Sequence, residues 1–136
     1  MRLAPILSAH GVDLIDASSG GNDPRQKIKP GNGYQVPFAS AMKKSLPPSS
    51  PLLISAVGGL FSGVLAQKVL DDGDADAIFV GRMFQKNPGQ VQAMADELGV
   101  EVHNSRQIGW GFKGRAVKAL GGSYKDAGAA AKDSKL

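Results

Sequence analysis

Leu52-Leu53-Ile54-Ser55-Ala56-Val57-Gly58-Gly59 is the stretch that decides the fold. It is a short, uncharged run that ends in two glycines. Such a run reads as a buried parallel strand followed by a tight turn. Two further runs have the same form: Val12-Asp13-Leu14-Ile15-Asp16, and Ala77-Ile78-Phe79-Val80 closed by Gly81 and Arg82. A helical pattern follows each one. Residues 35–44 place Val36, Ala39 and Met42 on one face, with Pro37 in the first turn. Val64, Leu65, Val69 and Leu70 form the second stripe, stopped by Asp71-Asp72-Gly73. Asn87-Pro88 predicts a cap and first helical residue, before Val91, Met94, Ala95 and Leu98 at helical spacing, and Gly99 closes that helix. Residues 4–9 are expected to end an earlier helix. Strands alternating with helices predict a parallel sheet with right-handed crossovers. Three such units suit a small doubly wound sheet or part of a barrel.

The chain has 136 residues, 42% of them hydrophobic, which suffices for one core. It has no Cys, so disulfide scaffolds, thiolate metal sites and cysteine nucleophiles are excluded. The net charge of +4 is unevenly placed. Lys113, Arg115, Lys118, Lys125, Lys132 and Lys135 stand against Asp126 and Asp133 in the last segment, and the preceding body is neutral. A neutral body with only 6% aromatic residues argues against a nucleic-acid surface. Residues 1–116 are read as the folded part and residues 117–136 as a flexible basic tail. The uncharged window 45–67 contains Pro47, Pro48, Pro51 and three glycines, so a membrane span is not expected. No secretory leader is read at Met1.

The chemistry-bearing features lie at two strand ends. Gly58 and Gly59 end one strand, and Gly81 and Arg82 end the next. Parallel α/β proteins bind ligands at this end of the sheet. Glycines there let backbone N–H groups approach a phosphate, and Arg82 offers a forked cation. The competing reading is two ordinary turns and a surface arginine; the pair in successive units favours phosphate. Residues 109–114 spell G-x-G-x-x-G, but lack the preceding strand and the later acid of a dinucleotide site. That segment reads instead as a flexible element presenting Trp110, Phe112 and Arg115. His10 and His103 lack metal-ligand spacing, and no metal site is expected. Ser18 and Ser19 read as turn hydroxyls, and Asp16 as a polar residue near the ligand end of the sheet rather than a catalytic acid. Ser134-Lys135-Leu136 at the C-terminus reads as a peroxisomal import address.

Residues 12–21, 33–39, 56–58, 77–82 and 107–112, in that order, resemble the C-terminal half of old yellow enzyme-type flavoproteins. The nearest branch is the NADPH dehydrogenase or xenobiotic-reductase-like one, in its fungal form. The resemblance runs from about Leu3 to Ala116. It implies the C-terminal part of a (β/α)8 TIM barrel, about three βα units and so an incomplete barrel. A whole barrel needs about 250 residues. It also implies FMN as cofactor, NADPH as reductant and an activated, α,β-unsaturated small molecule as hydride acceptor. Gly81 and Arg82 match the motif that holds the FMN phosphate, and Gly58 and Gly59 sit in the companion loop. Trp110 and Arg115 correspond to a segment that contacts a neighbouring subunit. The family's flavin-ring segment, substrate-anchoring His pair and Tyr lie upstream of Leu3, so no catalytic residue is assigned. The expectation is a fragment that either forms a homo-oligomer or needs a missing N-terminal half. The alternative is a non-catalytic module, binding a phosphate ligand or dimerising through open sheet edges. A peroxisomal import receptor is an expected partner; nucleic acid and membrane are not. Without the address, the location would be cytoplasmic.

Overall fold

A computed structural model describes residues 2–113, with side chains as far as Gly109. The order is α1 (Leu3–Ala9), β1 (Leu14–Ala17), α2 (Val36–Lys44), β2 (Leu53–Val57), α3 (Gly63–Asp71), β3 (Ala77–Phe79), α4 (Arg82–Lys86), α5 (Gln90–Leu98) and α6 (Arg106–Lys113). The chain divides into two units, one over Met1–Leu98 and a second beginning at Gly99. The boundary expected at 116/117 lies outside the described residues. In the first unit the three strands form one parallel sheet in the order β1-β2-β3. Leu14 pairs with Leu53 and Ala17 with Ala56; Ser55 pairs with Ala77 and Val57 with Phe79. The parallel α/β expectation therefore holds, with strand edges shifted by one or two residues.

Because side chains alternate along a strand, this register sorts them into two faces. Ile15, Ala17, Ile54, Ala56 and Ile78 share one face and join Ala39, Leu60 and Val69 in the core. Helix α2 packs on β1 and β2, and α3 packs on β3 and α5. Leu14, Leu53 and Phe79 share the other face with Asp16, Ser55 and Val57. Those three large side chains keep 41%, 50% and 43% of their surface exposed. Among the described residues the helices thus pack on one face, and the other keeps these three apolar side chains half-exposed around a buried Ser55.

Two departures from the sequence reading have local causes. Helix α5 starts at Gln90 rather than Pro88, because Asn87 Oδ1 accepts the Gly89 N–H at 3.0 Å and makes a turn first. The segment 109–114, expected to be flexible, instead contributes residues 109–113 to helix α6. Its glycines lower helix propensity without preventing a helix in tertiary context.

Helices α3 and α5 are locked at one end. Glu97 Oε2 accepts from Ser62 Oγ at 2.8 Å and from the Gly63 N–H at 2.6 Å. A carboxylate there satisfies the free donors and complements the positive start of α3. Close approach is possible because residue 63 is Gly; a Cβ would strike the Met94 carbonyl oxygen.

Asp76 ties the β2–β3 side of the sheet. Its Oδ2 accepts the Ile54 N–H at 2.9 Å and its Oδ1 accepts from Lys43 Nζ at 2.6 Å. Burial pushes its carboxyl up, but the Lys43 hydrogen bond, the Ile54 N–H and the Lys43 charge together hold it below its ordinary 3.8. A carboxylate depressed in the folded state stabilises that state above its unfolded value, and this contribution disappears as pH falls through the lower folded value. The urea midpoint should therefore drop between pH 5 and about pH 3. The Asp76→Asn variant should show a shallower acid decline than the wild type; parallel curves would remove Asp76 from the acid limb.

Candidate functional site

One cleft of about 470 Å³ opens at the C-terminal ends of β2 and β3. Gly58, Gly59, Gly81 and Arg82 all line it, so the fold brings together the four residues singled out in the sequence. Ser18, Tyr34, Phe61 and Lys86 join them. Trp110 lies in α6, but its side chain lies outside the described residues, as do Arg115, Ser134, Lys135 and Leu136.

The electrostatics of the cleft have one sign. Arg82 and Lys86 stand one helical turn apart in α4, and no Asp or Glu lines the cleft. Neither cation makes an ion pair among the described residues, whereas Lys43, Lys44 and Lys68 each pair with an aspartate. Two unpaired cations beside a wall of glycine backbone suit an anion with several oxygens. Outside the helices and the strand ladder, no hydrogen bond among the described residues engages the N–H groups of Gly59 or Gly81. A Cβ added at Gly81 would meet nothing within 4 Å, so that wall is open to a ligand.

The loop between β2 and α3 is held at both ends by buried glutamines, and the sequence reading missed both. Gln35 is 3% exposed. Its Nε2 donates to the Val57 carbonyl at 3.2 Å and its Oε1 accepts the Ser19 N–H. It thus joins the ends of β1 and β2. Gln90 Nε2 donates to the Phe61 carbonyl at 2.6 Å. Between these anchors Gly58 and Gly59 adopt φ of +104° and +70°. Gly58 lies against the Tyr34 ring, 2.6 Å from where its Cβ would be, and a Cβ on Gly59 would overlap the Gly31 carbonyl oxygen. A signal was available: a Gln directly before a helix following a Gly-rich loop has an amide that can satisfy both a donor and an acceptor. Its long-range partners belong to the tertiary fold.

Asp16 is exposed and accepts from Ser55 Oγ at 2.8 Å on the sheet face of Leu14 and Leu53. His10 Nδ1 donates to the Ile6 carbonyl at 2.8 Å at the end of α1, a helix-end role. Among the described residues no three His, Cys, Asp or Glu side chains gather as metal ligands. No helix among them is long and apolar enough to cross a membrane.

No protein-family model matches the chain. Individual proteins do. A protein named NADH:flavin oxidoreductase in Gibberella zeae is 53% identical over 116 residues, which cover 84% of this chain and 27% of that protein. Proteins named NADPH dehydrogenase in a Geobacillus species and in Geobacillus thermodenitrificans are each 40% identical, covering 78% of this chain and 30% of theirs. The chain thus spans less than a third of the length of these relatives. Over most of its own length the chain is similar to a segment of proteins named as flavin or NADPH oxidoreductases. These matches agree with the resemblance to old yellow enzyme-type flavoproteins read in the sequence, over a segment of those proteins.

Proposed function

We propose that this chain is the C-terminal segment of a peroxisomal, FMN-dependent NADPH dehydrogenase and holds the phosphate end of the cofactor. The observation that carries this reading is the convergence of Gly58, Gly59, Gly81 and Arg82 on one cleft without a carboxylate. The residues fit a phosphate: free backbone donors, open space at Gly81 and two unpaired cations. Arg82 would clamp the phosphate oxygens, Lys86 would add charge, and the glycine backbone would donate to the remaining oxygens. FMN, when bound, would supply hydride transfer from NADPH to the β-carbon of an α,β-unsaturated acceptor, and a proton completes the α-carbon. This chain's part is to bind and orient. The relatives' names divide between NADH and NADPH, and NADPH is the reading adopted here.

The sheet supports a barrel wall. All three strands run parallel, helices cover one face, and the half-exposed Leu14, Leu53 and Phe79 line the other. In a (β/α)8 barrel that second face is the packed interior. The remaining strands, supplied by an N-terminal half or by a second copy, would bury it. The same open face favours the second reading, a dimerising half-barrel that binds a phosphate ligand without catalysis.

Titration of FMN into the full chain tests the site. Flavin fluorescence should quench on binding, and Arg82→Ala should weaken affinity by about tenfold or more, from loss of a charge-assisted bidentate contact. Unchanged affinity in that variant would remove Arg82 from the site. Location has its own test. A fluorescent protein fused ahead of the native C-terminus should enter peroxisomes, and deletion of Ser134-Lys135-Leu136 should disperse it. A diffuse intact fusion would sink the peroxisomal assignment.

A further inference from the structure

A second cleft, of about 250 Å³, adjoins the first. Ser19, Gln26, Lys27, Ile28, Lys29, Tyr34 and Phe38 line it, and Tyr34 lines both clefts. Its outer wall is the loop 20–33 after β1. That loop is folded back on the strand end. Gln26 Oε1 accepts the Gly21 N–H at 3.2 Å, and Ile28 Cδ1 lies 2.8 Å from where a Cβ on Gly20 would be. Lys27 and Lys29 flank this Ile28 in the chain, and both line the cleft.

The charge of the loop is not balanced. Asp23 is the loop's one acidic residue. It is engaged by Arg25, with Arg25 Nη2 2.7 Å from its Oδ2 and Arg25 Nε 3.0 Å from its Oδ1. Lys27 and Lys29 make no ion pair among the described residues. Beside them Phe38 is 44% exposed, an aromatic face left open in a cleft wall. Two free lysines next to exposed aromatic rings suit a ligand that is both anionic and planar. The cleft is smaller than the roughly 300–1,000 Å³ that encloses a whole small ligand, so it fits one end of a longer molecule.

We propose that Lys27 and Lys29 bind the 2′-phosphate of the nicotinamide nucleotide and so select NADPH over NADH. The proposal rests on the reading of this chain as part of an NADPH dehydrogenase. It adds a subsite and the residues that set nucleotide choice. A phosphate monoester carries up to two negative charges, and two lysines without a competing carboxylate match it. NADH lacks that group and would leave the pair to solvent.

Calorimetric titration of the full chain with NADP⁺ and with NAD⁺ tests this. NADP⁺ should bind tighter by about tenfold or more, since one charge-assisted contact is of that order. The preference should shrink as salt rises. Lys27→Ala/Lys29→Ala should bring the two affinities level while FMN affinity stays unchanged. Lys27→Arg/Lys29→Arg should keep the preference. Equal affinities in the wild type, or a preference that survives the alanine pair, overturn the proposal. A parallel FMN titration separates it from the Arg82 cleft. FMN binding without a nucleotide preference overturns the lysine subsite alone. A nucleotide preference that depends on the lysines, without FMN binding, supports the subsite and sinks the Arg82 reading.

Discussion

Gly59→Ala is expected to lower stability by roughly 2–5 kcal/mol, the sum of two separate costs. Residue 59 sits at φ +70°, where an L side chain costs about 1–2 kcal/mol. Its Cβ would also overlap the Gly31 carbonyl oxygen and crowd Asn32 Cα at 3.0 Å. These are backbone atoms, so no rotamer change relieves the contact; the loop 31–33 must move. Forcing atoms into packed space costs typically about 1–3 kcal/mol. Gly73→Ala separates the two costs. Gly73 has φ +69°, but a Cβ there meets nothing within 4 Å. It should pay only the backbone cost. Urea midpoints of both variants decide the matter. Equal losses would mean that the Gly31 contact relaxes freely. Because Gly59 itself lines the cleft, Gly59→Ala should also weaken anion binding in whatever fraction remains folded.

Gln35→Leu should cost about as much, for a different reason. The substitution keeps an apolar volume in a buried position but removes both amide partners. The Ser19 N–H and the Val57 carbonyl then lose their hydrogen bonds. An unsatisfied buried group costs about 1–3 kcal/mol, so two cost roughly 2–6 kcal/mol, less wherever water reaches Val57 from the cleft. Gln35→Glu gives a sharper readout. Its carboxylate can still accept from Ser19, but it faces the Val57 carbonyl with an acceptor instead of a donor. Protonation restores a donor. The Gln35→Glu variant should therefore gain stability relative to wild type as pH falls through the carboxyl's folded pKa, and it should bind anions less well at neutral pH. A loss independent of pH would show that the amide donor to Val57 contributes little.

Much of the site was legible in sequence. Gly58, Gly59, Gly81 and Arg82 stand at the ends of apolar runs whose period identifies strands. In a parallel sheet those ends necessarily fall on one side, so their convergence followed from topology. Lys86 was not singled out, because nothing in Arg82-Met83-Phe84-Gln85-Lys86 announces a five-residue helix. Only when α4 forms does the i, i+4 spacing bring Lys86 beside Arg82. Gln35 and Gln90 were passed over because a glutamine reads as a surface residue until its partners are known. Residues 109–113 show the opposite error. Their glycines suggested flexibility, yet the chain is helical there.

The sequence by itself determined the order of strands and helices and the parallel sheet, and it carried the resemblance to flavin oxidoreductases. Each depends on local periodicity or on residue identity at fixed spacing, and both are written along the chain. The tertiary structure alone decided which sheet face lies open, which loop carries unbalanced lysines and how Gln35 and Gln90 anchor the loop between β2 and α3. Those features depend on register and on contacts between residues such as Gln35 and Val57, far apart in sequence. A one-residue slip in pairing would turn Leu14 and Leu53 to the covered face and undo them.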